Sequence, residues 1–270
     1  MGEPQGIAVD AISVYWTNYF DGTVMKVPLG GGNPATLASG QTHPSSIAVD
    51  AFSVYWTTDQ DVLKVPLDGG TSTWLAGPGD YVGGVAVDGT SVYWTDYNNF
   101  YGVVAREPLS GGMYTTLAQV NVEQCVFSGM AISTTSIYWT DSRHGTVMKV
   151  LLGGGAPITL ASTQGSPAGI AVDATSIYWT TYDNVMKVSL DGGTPTTLAS
   201  VQSHNDGGIA VDATSVYWTT DKDVMKIPLG GGNPTTLASG QSGPQGIAVD
   251  GASVYWTNFI NGNVMKLTPK

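Results

Sequence analysis

Along this chain, apolar and polar positions alternate in short bursts of five to seven residues, and turn-forming residues separate the bursts. Residues 169–200 show the pattern: "GIAVD", "SIYWT", "NVMKVSL" and "TPTTLAS" in succession. Each burst is rich in Val, Ile, Tyr, Trp and Thr, which suit a pleated, half-buried strand. Between them lie Asp-Ala-Thr-Ser, Tyr-Asp-Asn and Asp-Gly-Gly, small polar residues and glycines that supply tight-turn geometry. The period is two throughout, and no stretch sustains a helical one. Four antiparallel β-strands are predicted.

The same four bursts recur along the whole chain. The triplet Tyr-Trp-Thr begins at Tyr15, Tyr55, Tyr93, Tyr138, Tyr178, Tyr217 and Tyr255, with spacings of 40, 38, 45, 40, 39 and 38 residues. A fixed period near forty marks a propeller or solenoid. An open array of seven such units would leave apolar faces bare at both ends, whereas ring closure covers them. The chain therefore reads as all-β, one domain over residues 1–270, a β-propeller of seven blades of four antiparallel strands. Six blades with a displaced seventh repeat is the alternative. Small residues of the innermost strand (Ala8, Ala48, Ala86, Ala131, Ala171, Ala210, Ala248) suit crowding around a central channel. In the second strand, Tyr and Thr point to one face and Trp to the other, so both faces pack blade against blade.

Repeat seven ends at "NVMKLTPK" and lacks the fourth burst. Its bare third strand is a template for strand addition, either by a second copy of the chain or by an extended peptide. The alternative is a short, protected edge.

The pattern "VD-x(3)-[VI]-YWT-[DNT]", followed by "V-M-K-V-x-L-[DG]-GG", resembles the YWTD repeats of the low-density-lipoprotein receptor family, and more loosely the NHL repeats. Full YWTD occurs only at Tyr93 to Asp96 and Tyr138 to Asp141; elsewhere the last position is Asn18, Thr58, Thr181, Thr220 or Asn258. That family builds six blades, against seven copies here. The resemblance implies a protein-binding propeller that works outside the cytoplasm, extracellular or periplasmic, and it does not imply catalysis. Streptogramin lyases and lactonases have similar propellers and hold a divalent metal near the axis, so fold alone does not decide function.

Charge narrows the partners. The formal charge is −11 and charged residues are 11% of the chain, which argues against nucleic acid and against anionic membranes. A single cysteine, Cys125, excludes an internal disulfide framework and a Cys-based zinc cluster. No apolar run is long enough to insert in a membrane. "MGEPQG" carries no signal-peptide pattern and reads as an initiating Met directly preceding repeat one, any export signal having been removed.

Comparing the repeats with one another sorts scaffold from the rest. Seven of the ten cations are one position repeated (Lys26, Lys64, Arg106, Lys149, Lys187, Lys226, Lys266), a solvated or ion-paired strand site. Asp10, Asp50, Asp88, Asp173, Asp212 and Asp250 recur at the end of the first strand, where Asp caps a turn. Loops after strands one and three are nearly constant ("DATS", "LGGGNP"); those after strands two and four, on the opposite face, vary.

The remaining acids concentrate on that variable face, at Asp21, Asp59, Asp61, Asp80, Glu123, Asp183, Asp206, Asp221 and Asp223, against Arg143 and Lys222. Tyr19, Phe20, Tyr81, Phe100, Tyr101, Tyr182 and Phe259 are interleaved with them. Acids and aromatics on loops of a rigid scaffold describe a recognition face for a protein or peptide ligand. The longest connection, "AQVNVEQCVFSG", makes repeats three and four the expected place for a pocket, near Glu123, Cys125, Phe127 and Arg143.

Two readings compete with this one: a structural piece of a larger cell-surface protein, its missing outer strand completed by a neighbour, and a metal-dependent lyase or hydrolase acting at the central axis. All three histidines, His43, His144 and His204, lie on the variable face, and a divalent cation such as Ca2+ near the axis would be the cofactor. Their flanks, "THPS", "SRHG" and "SHND", share no spacing, and no nucleophile elbow, phosphate loop or EF-hand loop is present. The sequence assigns no catalytic residue and requires no cofactor for binding.

Overall fold

A computed structural model describes residues 2–77, 81–121, 123–200 and 207–270. Its strands form seven antiparallel sheets in sequence order, six of four strands and a last one of three (Pro244–Val249, Val254–Asn258, Asn263–Leu267). The sheets are the blades of a seven-bladed β-propeller, and the six-blade alternative is not realised.

Each seam between blades is a core of its own. The Tyr face of one blade meets the Trp face of the next: Tyr55 packs with Trp94, Tyr138 with Trp179, Tyr178 with Trp218 and Tyr217 with Trp256. The alanines of the inner strand lie in these seams, where Ala48, Ala131 and Ala210 pack against the clusters. Their small size makes room for the neighbouring blade and does not serve the channel, a correction to the sequence expectation.

Hydrogen bonds repeat with the same period. The Thr of Tyr-Trp-Thr accepts a backbone N–H of its own inner strand, as Gly169 N–H donates to Thr180 Oγ1 at 3.0 Å. Its hydroxyl then donates to a carbonyl of the next blade: Thr17 to Ser45, Thr57 to Gly83, Thr140 to Ala168, Thr180 to Gly207, Thr219 to Gln245. Thr257 donates to the Gln5 carbonyl at 2.9 Å and closes the ring. The repeated cation is a second stitch, donating to the Leu carbonyl that follows strand three of the next blade: Lys149 to Leu190 at 2.7 Å, Arg106 to Leu152 at 3.0 Å, Lys266 to Leu29 at 2.9 Å. Lys26 and Lys187 are bound alike, so five of the seven repeated cations hold a backbone carbonyl of the next blade.

The repeated Asp does two jobs. Asp173 Oδ1 accepts the N–H groups of Thr175 and Ser176 at 2.7 and 2.8 Å, while Oδ2 accepts the Tyr178 hydroxyl at 2.8 Å. Asp10, Asp50, Asp88, Asp212 and Asp250 are bonded alike. Repeat four has Ser133 there, reaching the Tyr138 hydroxyl at 3.4 Å.

This pairing predicts how stability follows pH. Burial opposes ionisation of Asp88, Asp173 and Asp250, but the turn N–H groups and the Tyr hydroxyl override it and hold each carboxyl below its ordinary value. Burial and the Asp partner push the Tyr15 and Tyr217 hydroxyls up to about 12. A lowered Asp contributes stability that is present above about pH 4 and lost as pH falls through its folded value; a raised Tyr contributes below about pH 10 and loses it above. Melting temperature is expected to stay level between those limits and to fall outside both. A circular-dichroism melt that is unchanged at about pH 2 contradicts the assignment.

Candidate functional site

The two faces of the disc are built differently. On the constant face the turns are closed by the Asp caps. On the variable face the last position of the Tyr-Trp-Thr-x motif sets the turn that follows. Where the turn is short, a threonine closes it: Thr58 accepts the N–H of Asp61, Thr181 that of Asn184 and Thr220 that of Asp223, at 3.0 to 3.1 Å. Longer turns carry Asn or Asp. The buried Asp141 accepts the N–H groups of Val126, Arg143 and His144 and pairs with His144 Nδ1 at 2.8 Å. His144 is thereby held as part of a turn.

The central channel is a cavity of about 1080 Å³ lined by all seven inner strands. Glycine stands in its wall where neighbouring strands approach, beside apolar residues such as Ile7, Ile47, Ile170, Ile209 and Ile247. A Cβ on Gly129 would lie 2.5 Å from the Ala168 carbonyl oxygen, and one on Gly246 would meet that of Gln5. Ser142, Asp221, Lys222 and Ile260, on the variable-face loops, complete the lining at one end. Among the described residues, no three His, Cys, Asp or Glu side chains converge to hold a metal ion.

Beside the channel an aromatic patch spans the ring closure. The Tyr19 and His43 rings stack at 4.6 Å and 15°, and Phe20 stands edge-on to Tyr19 at 4.9 Å and packs against Phe259 at 6.3 Å. Asp59 Oδ2 lies 2.7 Å from His43 Nδ1. Burial, helped by the Asp59 charge, raises the Tyr19 hydroxyl above its ordinary value. Phe20 is 63% exposed, and so, at 72%, is Ile260, the neighbour of Phe259 at the channel mouth. The sequence marks His43 only as a histidine and Ile260 not at all. Both gain their place here because blades one, two and seven meet.

The sector around repeats three and four is filled, not open. Tyr81 stacks on Tyr97 at 5.6 Å, Tyr97 meets Phe127 edge-on, and Phe127 meets Trp139. Cys125 and Phe127 are buried in the same cluster, so the long connection plugs the place where the sequence predicts a pocket. Phe100, Tyr101, Glu123 and Arg143 are exposed at its rim. Burial, with Asp141 and Asp96 nearby, pushes the Cys125 thiol up to about 11. Native protein at about pH 8 is expected to resist alkylation by iodoacetamide and to react once unfolded. Rapid labelling of the native state, read by mass spectrometry, would contradict this burial.

Asp61 accepts the Trp74 indole N–H at 2.8 Å on the outer side of blade two. Asp21 is exposed in one turn and Tyr182 and Asp183 in another, and Asp223 lies in the turn closed by Thr220. Asp80, His204 and Asp206 lie outside the described residues.

The sequence matches no protein-family model and no curated protein. Solved structures do match the shape. A virginiamycin B lyase from Staphylococcus aureus superposes with a TM-score of 0.84 at 13% identity, covering 99% of this chain and 95% of that one. The WD40 β-propeller domain of Doa1 gives 0.83 at 12%, covering 100% and 94%. A chain of a nidogen/laminin complex gives 0.61 at 22%, covering 70% and 77%. At these identities the likeness is one of fold: the chain is a β-propeller.

Proposed function

We propose that this propeller is a non-catalytic binding module that takes a protein or peptide ligand on its variable face, beside the channel mouth. The carrying observation is the patch of Tyr19, Phe20, His43 and Phe259, with Asp59 paired to His43. Exposed aromatics on rigid loops are the side chains that anchor partners. The scaffold residues of the repeat are already engaged in stitches and caps, so the variable loops hold the groups left to recognise something.

The surplus of acids over cations on this face favours a ligand that carries Lys or Arg. One known propeller fold of similar shape sits in a nidogen/laminin complex, which agrees with a protein partner. The resemblance to YWTD repeats supports an extracellular or periplasmic setting. A metal-dependent reaction at the axis, the course open to a lyase-like propeller, draws no support from the described residues, which gather no ligand set.

Selection of a displayed peptide library on the immobilised protein tests the reading. The expected result is enrichment of basic peptides, abolished when Phe20→Ser replaces the wild type as bait. Enrichment that is the same on the variant, and lost instead on Phe52→Ser of the constant face, would place binding on the other side.

A further inference from the structure

The last blade ends in a third strand, Asn263–Leu267, whose outer edge has no partner strand among the described residues. Its sequence is nearly that of blade five. "NVMKL" here matches "NVMKV" at the start of Asn184–Ser189, differing only in Leu for Val. In blade five that edge is covered by Thr196–Ser200, with Asn184 opposite Ser200, Val185 opposite Ala199, Met186 opposite Thr197 and Lys187 opposite Thr196. The Thr197 hydroxyl reaches the Met186 sulfur at 3.5 Å, and blades one and six repeat that contact at Thr36 to Met25 and Thr236 to Met225.

Uncovered, the same residues lie open. Asn263, Met265 and Lys266 are exposed in blade seven, whereas Met186 and Lys187 are half-buried in blade five. The chain after the strand leaves the edge clear. Thr268 bonds Ser253, the Lys270 N–H donates to the Ala252 carbonyl, and Lys270 Nζ pairs with Asp212 of blade six at 2.6 Å.

We infer that the outer edge of Asn263–Leu267 is a strand-addition site for an extended segment of the pattern Thr-Thr-Leu-Ala, bound antiparallel as Thr196–Ser200 is in blade five. The edge supplies backbone N–H and C=O groups for affinity and alternate side chains for selection. Val264 meets the Ala, Met265 takes the Thr hydroxyl, and the Leu turns into the seam with the next blade, as Leu198 of blade five packs against blade six. A second copy of the chain is not the occupant. Its six segments of this type, such as Ala35–Ala38 and Thr235–Ala238, are each paired within their own blades. The site is independent of the variable-face reading and stands or falls separately.

A synthetic peptide of residues 193–200, "GTPTTLAS", titrated to millimolar concentration into the whole protein, tests it by nuclear magnetic resonance. The expected result is saturable shifts at the amides of Asn263–Leu267. Met265→Asp, at an exposed position, is expected to weaken binding about tenfold while leaving the melting temperature unchanged. A peptide with proline in place of its second threonine is expected not to bind, since it lacks the ladder donor. Equal shifts with a scrambled peptide, no saturable shift, or a dimer by light scattering whose interface is this edge would each overturn the proposal.

Discussion

Replacing Trp179 with alanine is expected to destabilise the protein by about 3–5 kcal/mol, the range for deleting a large aromatic side chain from a packed core. Trp179 has no exposed surface and fills the seam between blades four and five, against Tyr138, Val147, Leu160 and Ile177. In a closed ring no blade is free to drift away and relax the gap, so the cavity persists. The indole N–H of Trp179 meets no acceptor among the described residues. Trp179→Phe therefore loses volume alone and is expected to cost clearly less than the alanine variant.

Trp256 differs. Its Nε1–H donates at 3.0 Å to Gln241 Oε1, which Asn258 also uses. Trp256→Phe forfeits that bond as well, worth about 1 kcal/mol more. Urea unfolding at constant m-value measures all three. A Trp179→Ala cost below about 1 kcal/mol would mean the seams are not the cores of this fold.

Much of this architecture is legible in the repeat. Tyr and Trp at adjacent positions of a strand must face opposite ways, so a sheet that buries both needs a neighbour on each side, and the recurrence of Tyr-Trp-Thr counts the blades. The Asp before the turn reads as a cap from its position alone. Its bond to the Tyr hydroxyl five residues on does not, because that contact depends on strand register.

The repeated Lys misleads for a similar reason. Its partner is a backbone carbonyl some forty residues away in the next blade, as Lys149 to Leu190 shows, and carbonyls carry no mark in a sequence. Likewise Tyr19, Phe20 and Phe259 are visible as loop aromatics, yet Phe20 and Phe259 meet only because the ring closes. Cys125 and Phe127 mislead in the opposite direction. Their apolar character in a long loop is the sign that it turns inward and packs.

The second large effect concerns recognition. For a basic peptide obtained by selection, Phe20→Ser is expected to weaken binding at least about tenfold, a loss of about 1.4 kcal/mol. Because Phe20 is 63% exposed, the melting temperature is expected to stay the same. Asp59→Asn removes the charge next to His43 and Tyr19 and is expected to flatten the salt dependence of the association rate, since that rate responds to charge on the rim. Surface plasmon resonance at two salt concentrations reads both quantities. Weakening that tracks a fall in melting temperature would mean that Phe20 acts through the fold and not through the ligand.

Hydrogen exchange with and without such a peptide tests the division between scaffold and recognition face most directly. The predicted result is slower exchange in the turns holding Tyr19, Phe20, His43 and Phe259, with the Asp-capped turns of the constant face unchanged. Protection confined to those capped turns would contradict it.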